Sequence, residues 1–347
     1  MNASLRVIQP GLMTTVQDLG RHGFQRFGIP VSGALDPVAL RIANIIVGNP
    51  QATAGLEMAI MGPALAVEAD SVTVALAGDG TGMAVEKANG ERHEVPSLQG
   101  FTLARGDTVR ITGLGRAAVA YLAIAHGLAL TPFLGSLSTY PRGAFGGLEG
   151  RPLAAGDHLP LMRGEAGDRP PMRLADFDLR PATVVRVVLG PQDGDFTPAA
   201  IETFLGAPYT VSRDADRMGL RLEGAPLEHT KGYNIISDGI APGSIQVPGS
   251  RQPIVLLSDR QTTGGYPKIA TVISADLPAV GRLTPGMKIR FEKTSVAEAQ
   301  AARHALEQRI AAVENQLEIA RSDGLDLDAL YSANLISGVT HAAGDTQ

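Results

Sequence analysis

Glycine and proline punctuate this chain 41 and 23 times in 347 residues, so few stretches are long enough for a periodic helix and many short apolar runs lie between turns. That rhythm favours short strands joined by tight connections: a mainly β fold with some α. Apolar residues make up 44% of the sequence, enough for packed cores in one large or two ordinary domains. The formal charge is −5 and no basic run could track a phosphate backbone, so nucleic acid is not an expected partner. The absence of cysteine removes disulfides, zinc thiolates and cysteine nucleophiles. No leader-like segment opens the sequence, and no apolar run reaches the ~18 residues of a membrane span. The expectation is a cytoplasmic protein with no membrane partner.

Two stretches carry matching helix signals. Asp36 caps, Pro37 takes the first helical position, Val38, Ile42, Ile45 and Ile46 follow, and Gly48 stops the helix. Thr197, Pro198, Ile201, Phe204, Leu205 and Gly206 repeat that grammar. Strand candidates follow each helix: 56–61, 64–68 and 72–77 with a hairpin turning at Asn89-Gly90, then 219–223, 233–237 and 254–258. Each half closes on a loop feeding a last strand, 103–111 and 283–291. The segment from Arg163 to Pro181, rich in arginine, aspartate and proline, has linker chemistry. The expected division is a β-barrel-like domain over 1–165, a second over 166–293, and a helical tail over 294–347. In the tail, Ser295 and Glu298 make a capping box, and Leu306, Ile310, Val313, Leu317 and Ile319 suggest one amphipathic helix.

The densest polar cluster runs from Ser258 to Lys268, directly after an apolar strand. Asp259 suits a general base and Lys268 a stabiliser of developing negative charge, while Gly264 and Gly265 let backbone N–H groups approach a ligand. Gln261, Thr263 and Tyr266 add hydrogen-bonding groups, although a solvated turn would satisfy the same pattern. A second cluster holds Gln17, Asp18 and Arg21, followed by Ser32 and Asp36 around a glycine turn. Helix capping alone explains Asp36, and a turn serine often bonds only its own backbone. The glycines at 78, 80 and 82 match no phosphate-binding fingerprint and read as a turn. The seven histidines show no metal-ligand spacing, so no metal site is expected.

The first cluster, the phrase Gly33-Ala34-Leu35-Asp36-Pro37, the run Gly243 to Pro248 and the stretch Gln252 to Lys268 are similar to one family. Its members are variously called allophanate hydrolase subunit 2, biotin-dependent carboxyltransferase, or the C-type component of 5-oxoprolinase. Further matches are Leu134-Gly135-Ser136 with Ser138-Thr139, Gly146 to Arg151, and Asp216 to Leu222, so the resemblance runs from about Val7 to Phe291. It implies two related cyclophilin-like β-barrel domains.

It also implies action in an ATP-dependent 5-oxoprolinase, converting 5-oxo-L-proline to L-glutamate beside a smaller B-like companion and an A-like lactam-hydrolase subunit. ATP, with Mg, would be shared with the partner, and activity would need the assembled subunits. The resemblance points to Asp259 as base or orienting carboxylate and Lys268 as charge stabiliser. Gln17, Gln246, Gln261, Thr263 and Tyr266 would hold the amide or its carrier, and Arg21 a carboxylate or phosphate. Asn44 is better explained by buried backbone groups. Two departures stand out: Leu137 where relatives often carry arginine, and Arg251 where glycine is common. The alternatives are a biotin-dependent carboxyltransferase acting on urea or a related amide, with biotin on a separate carrier, and a regulatory antagonist of a kinase inhibitor.

Overall fold

Strand periodicity explains the architecture of the first half. In Val119–Ile124 every residue is buried, because Ala120, Leu122 and Ile124 face a core between two sheets while Val119, Tyr121 and Ala123 face a helix. The computed structural model describes residues 3–320; the part of the tail assignment on 321–347 lies outside the described residues.

One sheet has six strands in the spatial order His158–Pro160, Ser4–Gln9, Ala64–Val67, Thr108–Gly113, Gly82–Glu86, Arg92–Pro96. The other has seven, in the order Met13–Gln17, Gly55–Ala59, Val119–Ile124, Ser71–Ala77, Gln99–Ala104, Met172–Leu174, Leu317–Ile319. Leu5, Leu56, Met58, Leu65, Val74 and Leu76 fill the space between them. The hairpin near Asn89-Gly90 forms as expected, with Glu86 opposite Arg92 and Gly90 at φ +86°.

Helix α1, Pro37–Val47, lies on the outer face of the seven-stranded sheet. Asp36 Oδ1 accepts from the N–H groups of Val38 and Ala39, and Gly48 ends the helix at φ +79°. Nine of its eleven residues are buried, so it behaves as a core element and not as an amphipathic surface helix. Asn44 holds the following turn by donating to the Thr53 carbonyl at 2.7 Å.

The second half closes seven strands into a barrel: Val184–Leu189, Lys268–Val272, Ser244–Gln246, Ile254–Leu256, Gly219–Glu223, Tyr209–Val211 and Lys288–Lys293. Helix α2, Pro198–Gly206, plugs it with Phe204, stacked on Phe291 at 4.5 Å between ring centroids. Truncating such a ring to alanine costs about 3–5 kcal/mol. Helix α3, Leu277–Gly281, packs against the start of α1, and a side chain at Gly281 would strike the Leu35 carbonyl oxygen at 2.4 Å.

Three expectations need correction. The stretch 233–237 is not a strand: Tyr233 and Ile236 face solvent, and only the Ile235 N–H ties it to the Gly265 carbonyl. The 163–181 linker is not free, because Met172–Leu174 joins the first half's sheet. Finally, the apolar spacing in the tail does not mark one helix. Helix α4, Val296–Ala312, carries the capping box but buries only Ile310, while Leu317 and Ile319 belong to an edge strand. Strand pairing with Met172–Leu174 overrides the helical period there.

Candidate functional site

The site grows from two glycine-dependent loops that press together. A Cβ on Gly33 would lie 2.8 Å from the Gly20 nitrogen, and one on Gly20 would lie 2.7 Å from the Val31 carbonyl oxygen. Only glycine permits that approach at φ +84° and +93°. Asp18 fixes the first loop. It accepts from Gly20 N–H at 2.8 Å, the hydroxyls of Ser136 and Ser138 at 2.7 and 2.5 Å, and Leu137 N–H at 2.7 Å. These bonds fill the carboxylate, so Asp18 shapes the site and is not free to receive a substrate.

Gln17 and Arg21 are held beside it and are almost fully buried. Gln17 donates to Thr15 and to the Thr139 carbonyl, and Arg21 donates to the Ser138 carbonyl and lies over the Phe145 ring. Gln17 Oε1, Arg21 Nε and one Arg21 Nη find no hydrogen-bond partner among the described residues, nor does Ser32 Oγ. Burial lowers the Arg21 pKa, while the nearby carboxylates of Asp18 and Asp259 pull it back up. Arg21 and Asp259, from opposite halves of the chain, therefore share one electrostatic environment.

Asp259 anchors the second half's contribution. Arg217 donates to it through Nε at 2.8 Å and Nη at 3.2 Å, to Glu57 through the other Nη, and to the Gly33 carbonyl at 2.7 Å. Glu57 also accepts from the Tyr121 hydroxyl at 2.5 Å and the Leu35 N–H at 2.9 Å. Burial, together with Glu57 and Asp36, raises the Tyr121 pKa well above its ordinary value, so the phenol stays a donor. Asp36, expected as a ligand contact, has both oxygens taken by the start of α1 and by Arg282. It is an architectural residue. Asp259 likewise fits an orienting carboxylate better than a free base.

Gln246 and Lys268 sit opposite each other across neighbouring barrel strands. Gln246 points away from the core that Ile245 and Val247 enter, toward a short ribbon of Asp238–Gly239 paired with Thr263–Gly264. Lys268 Nζ, almost fully buried, donates to Asp238 at 2.9 Å. Gln246 Oε1 accepts from Gln261 at 3.4 Å, and its Nε2 is without a partner among the described residues. Gly264 leaves room for that amide: a Cβ there would lie 2.6 Å from Gln246 Nε2. Thr263 and Tyr266 are exposed on the ribbon and Gly265 is half-buried.

Asp259 and Lys268 therefore belong to separate hydrogen-bond sets. Gln261, two residues after Asp259, donates to Gln246 on the strand paired with that of Lys268, so the two sets lie on neighbouring segments without a direct bond between them. Between the halves, a cleft of about 470 Å³ is lined by Leu19, Ser32, Leu35, Leu257 and Arg260, among others. No group of three or more metal-ligating side chains occurs among the described residues, and none of their helices is long and apolar enough to cross a membrane.

Sequence reasoning did not single out Glu57, Tyr121, Asp238 or Arg282, and Arg217 and Arg260, although inside named motifs, received no role of their own. A signal existed for Glu57, a carboxylate between Leu56 and Met58 in an otherwise apolar strand, which must be paired if buried.

The carboxyltransferase domain family, subdomains A and B, matches residues 27–293. The chain belongs to that family. This carboxyltransferase-family chain is 37% identical over 302 residues to the C-type component of 5-oxoprolinase from Escherichia coli, covering 86% of this chain and 94% of that protein. Among solved structures it is similar to TTHA0988, with a TM-score of 0.74 and 38% identity over 84% of this chain. It is also similar to the Kluyveromyces lactis urea carboxylase, with a TM-score of 0.80 and 27% identity over 94% of this chain. The chain spans 55% of the first of these structures and 30% of the second. Both agree with the expected mainly β, barrel-based fold.

Proposed function

We propose that this carboxyltransferase-family chain is the amide-holding subunit of an ATP-dependent 5-oxoprolinase that converts 5-oxo-L-proline to L-glutamate with companion subunits. The observation that carries the reading is a set of buried polar atoms, drawn from both halves, left without partners among the described residues. It contains donors on Arg21 and Gln246 and an acceptor on Gln17. A lactam presents the complement, a carbonyl oxygen that accepts and an N–H that donates. Buried polar atoms are costly unless paired, so a bound amide would offset that cost. Coverage of 94% of the E. coli protein favours this reading over the urea carboxylase, of which the chain spans under a third.

In the proposed reaction the lactam N–H donates to Gln17 Oε1, which leaves more electron density on the carbonyl oxygen. That oxygen bonds to the γ-phosphorus of ATP as the bond from phosphorus to the bridging oxygen breaks and ADP leaves. Arg21 and Lys268 stabilise the phosphoryl charge, and Asp259, paired with Arg217, holds Arg21 in place by charge. Water then attacks the activated carbon on the companion lactam hydrolase and the ring C–N bond opens to leave an acyl phosphate, whose carbon takes a second water as its bond to the phosphate oxygen breaks, releasing phosphate and glutamate. ATP with Mg is assigned to a site shared with the B-like companion.

The second reading is biotin-dependent carboxyl transfer to urea or a related amide, favoured by the likeness to the urea carboxylase structure. Biotin would arrive on another carrier, and Gln17, Arg21 and Gln246 would hold the amide in the same way. Glutamate formation by the co-expressed subunits decides between the two. Dependence on ATP and 5-oxo-L-proline with no effect of avidin is the expected result. No glutamate, or full inhibition by avidin, would overturn the proposal.

A further inference from the structure

The cleft between the halves carries a charge pattern that the amide-holding groups do not use. Arg260 is only 5% exposed. Its guanidinium donates to two backbone carbonyls, those of Ile240 at 3.3 Å and Leu257 at 3.1 Å, which leaves about three of the five guanidinium N–H groups uncommitted. Arg217, Arg282 and Arg186 each pair with a carboxylate. Arg260 pairs with none among the described residues, and burial alone lowers its pKa to about 10. A desolvated cation without a counter-ion is an unfavourable arrangement that a bound anion relieves.

Ser32 faces the same space from the first half. Its hydroxyl is buried, has no partner among the described residues, and is carried on a left-handed backbone at φ +54°. The walls include Leu19, Leu35, Leu257 and Leu277, and no acidic residue lines the cleft. Arg303 of α4 also lines the cleft but is paired with Glu307, which leaves Arg260 as the lining guanidinium without a carboxylate partner among the described residues. The set suits a small anion on an apolar body.

We propose that Arg260 and Ser32 form a carboxylate-recognition subsite, with the planar guanidinium taking both oxygens of a small organic acid and Ser32 donating to one of them. The choice of acid rests on the function proposed above: it is the ring carboxylate of 5-oxo-L-proline, whose methylenes lie against Leu35 and Leu257. The subsite separates a carboxylated lactam from a neutral amide such as urea, because binding the neutral amide leaves the buried guanidinium without its anion.

The test compares binding of 5-oxo-L-proline, 2-pyrrolidinone (the same lactam without the carboxylate) and butyrate to the assembled complex by calorimetry. It uses the natural chain, Arg260→Lys, Arg260→Gln and Ser32→Gly. The natural complex is expected to bind 5-oxo-L-proline at least tenfold more tightly than 2-pyrrolidinone. Arg260→Gln should erase that preference, and Arg260→Lys should reduce it. Ser32→Gly, which also relaxes the backbone and so should not impair folding, should reduce it severalfold. Butyrate separates the two ideas. If butyrate binds and Arg260→Gln abolishes it, the subsite stands even where 5-oxo-L-proline is not turned over. If the folded variants keep the full preference, the subsite assignment is wrong while the proposed reaction is untouched.

Discussion

Arg282 grips both carboxylate oxygens of Asp36, 246 residues away in sequence, through Nε at 2.6 Å and Nη at 3.1 Å. The pair is almost fully buried and joins the start of α1 to the loop after α3. Asp36→Ala should cost about 3–5 kcal/mol for the stranded guanidinium, and about 1 kcal/mol more for the lost cap. Denaturant unfolding measures this, and a loss below ~1 kcal/mol would show that the pair does not stabilise the junction.

Asp107 gives the fold a specific acid sensitivity. Burial is the largest influence and would raise its pKa. The Lys87 ammonium and the N–H groups of Ala104 and Ala88 together outweigh it and hold the carboxyl below its usual range. A depressed acid stabilises the fold above its unfolded value of about 3.9, and that stability disappears as pH falls through the lower folded value. Asp107→Asn should be less stable than the natural chain at pH 7 and should lose less on acidification from pH 5 to 2. Parallel losses in the two proteins would remove Asp107 from the acid response.

Gly264→Ala isolates the Gln246 amide. The new methyl would meet Gln246 Nε2 at 2.6 Å and Ile240 Cδ1 at 2.7 Å, both ends of movable side chains. Stability should therefore change by less than about 1 kcal/mol, while KM for 5-oxo-L-proline rises severalfold because the amide is pushed from its place. Unchanged kinetics would place Gln246 outside the site.

Lys268→Met removes a buried ammonium whose only carboxylate partner among the described residues, Asp238, is half-exposed and can be solvated. Fold and assembly should survive. The 5-oxo-L-proline-dependent kcat should fall about 10²- to 10³-fold, the size of effect seen when a preorganised charge-stabilising donor is lost. A fall of less than threefold would leave Lys268 as a structural cation.

Local grammar was legible where one or two turns of chain decide the outcome. Asp36-Pro37 opening α1, Gly48 closing it, and Ser295 with Glu298 opening α4 form as the residues suggest. The site was half legible. Gln17, Arg21 and Ser32 of the first cluster, and Gln246, to which the family resemblance points, carry buried polar atoms without partners among the described residues, while the carboxylates of Asp18 and Asp36 are taken up by hydrogen bonds within the fold. Their partners, Ser136, Ser138 and Arg282, lie over a hundred residues away. Glu57 and Arg217 went unremarked as site residues for the same reason, since their meaning depends on a contact across 160 residues. Arg251 shows the converse: it adopts φ +61°, so an L side chain sits on a backbone that glycine takes more easily.

The central claim is that the lactam carbonyl oxygen is phosphorylated while this chain holds the ring. The most direct measurement uses 5-oxo-L-proline labelled with ¹⁸O at that carbonyl, turned over by the assembled subunits with unlabelled ATP, and reads the phosphate by mass spectrometry. One ¹⁸O in the phosphate for each glutamate formed, with loss of turnover in Arg21→Gln, is the expected result. Unlabelled phosphate, with the ¹⁸O retained in the glutamate side chain, would contradict it.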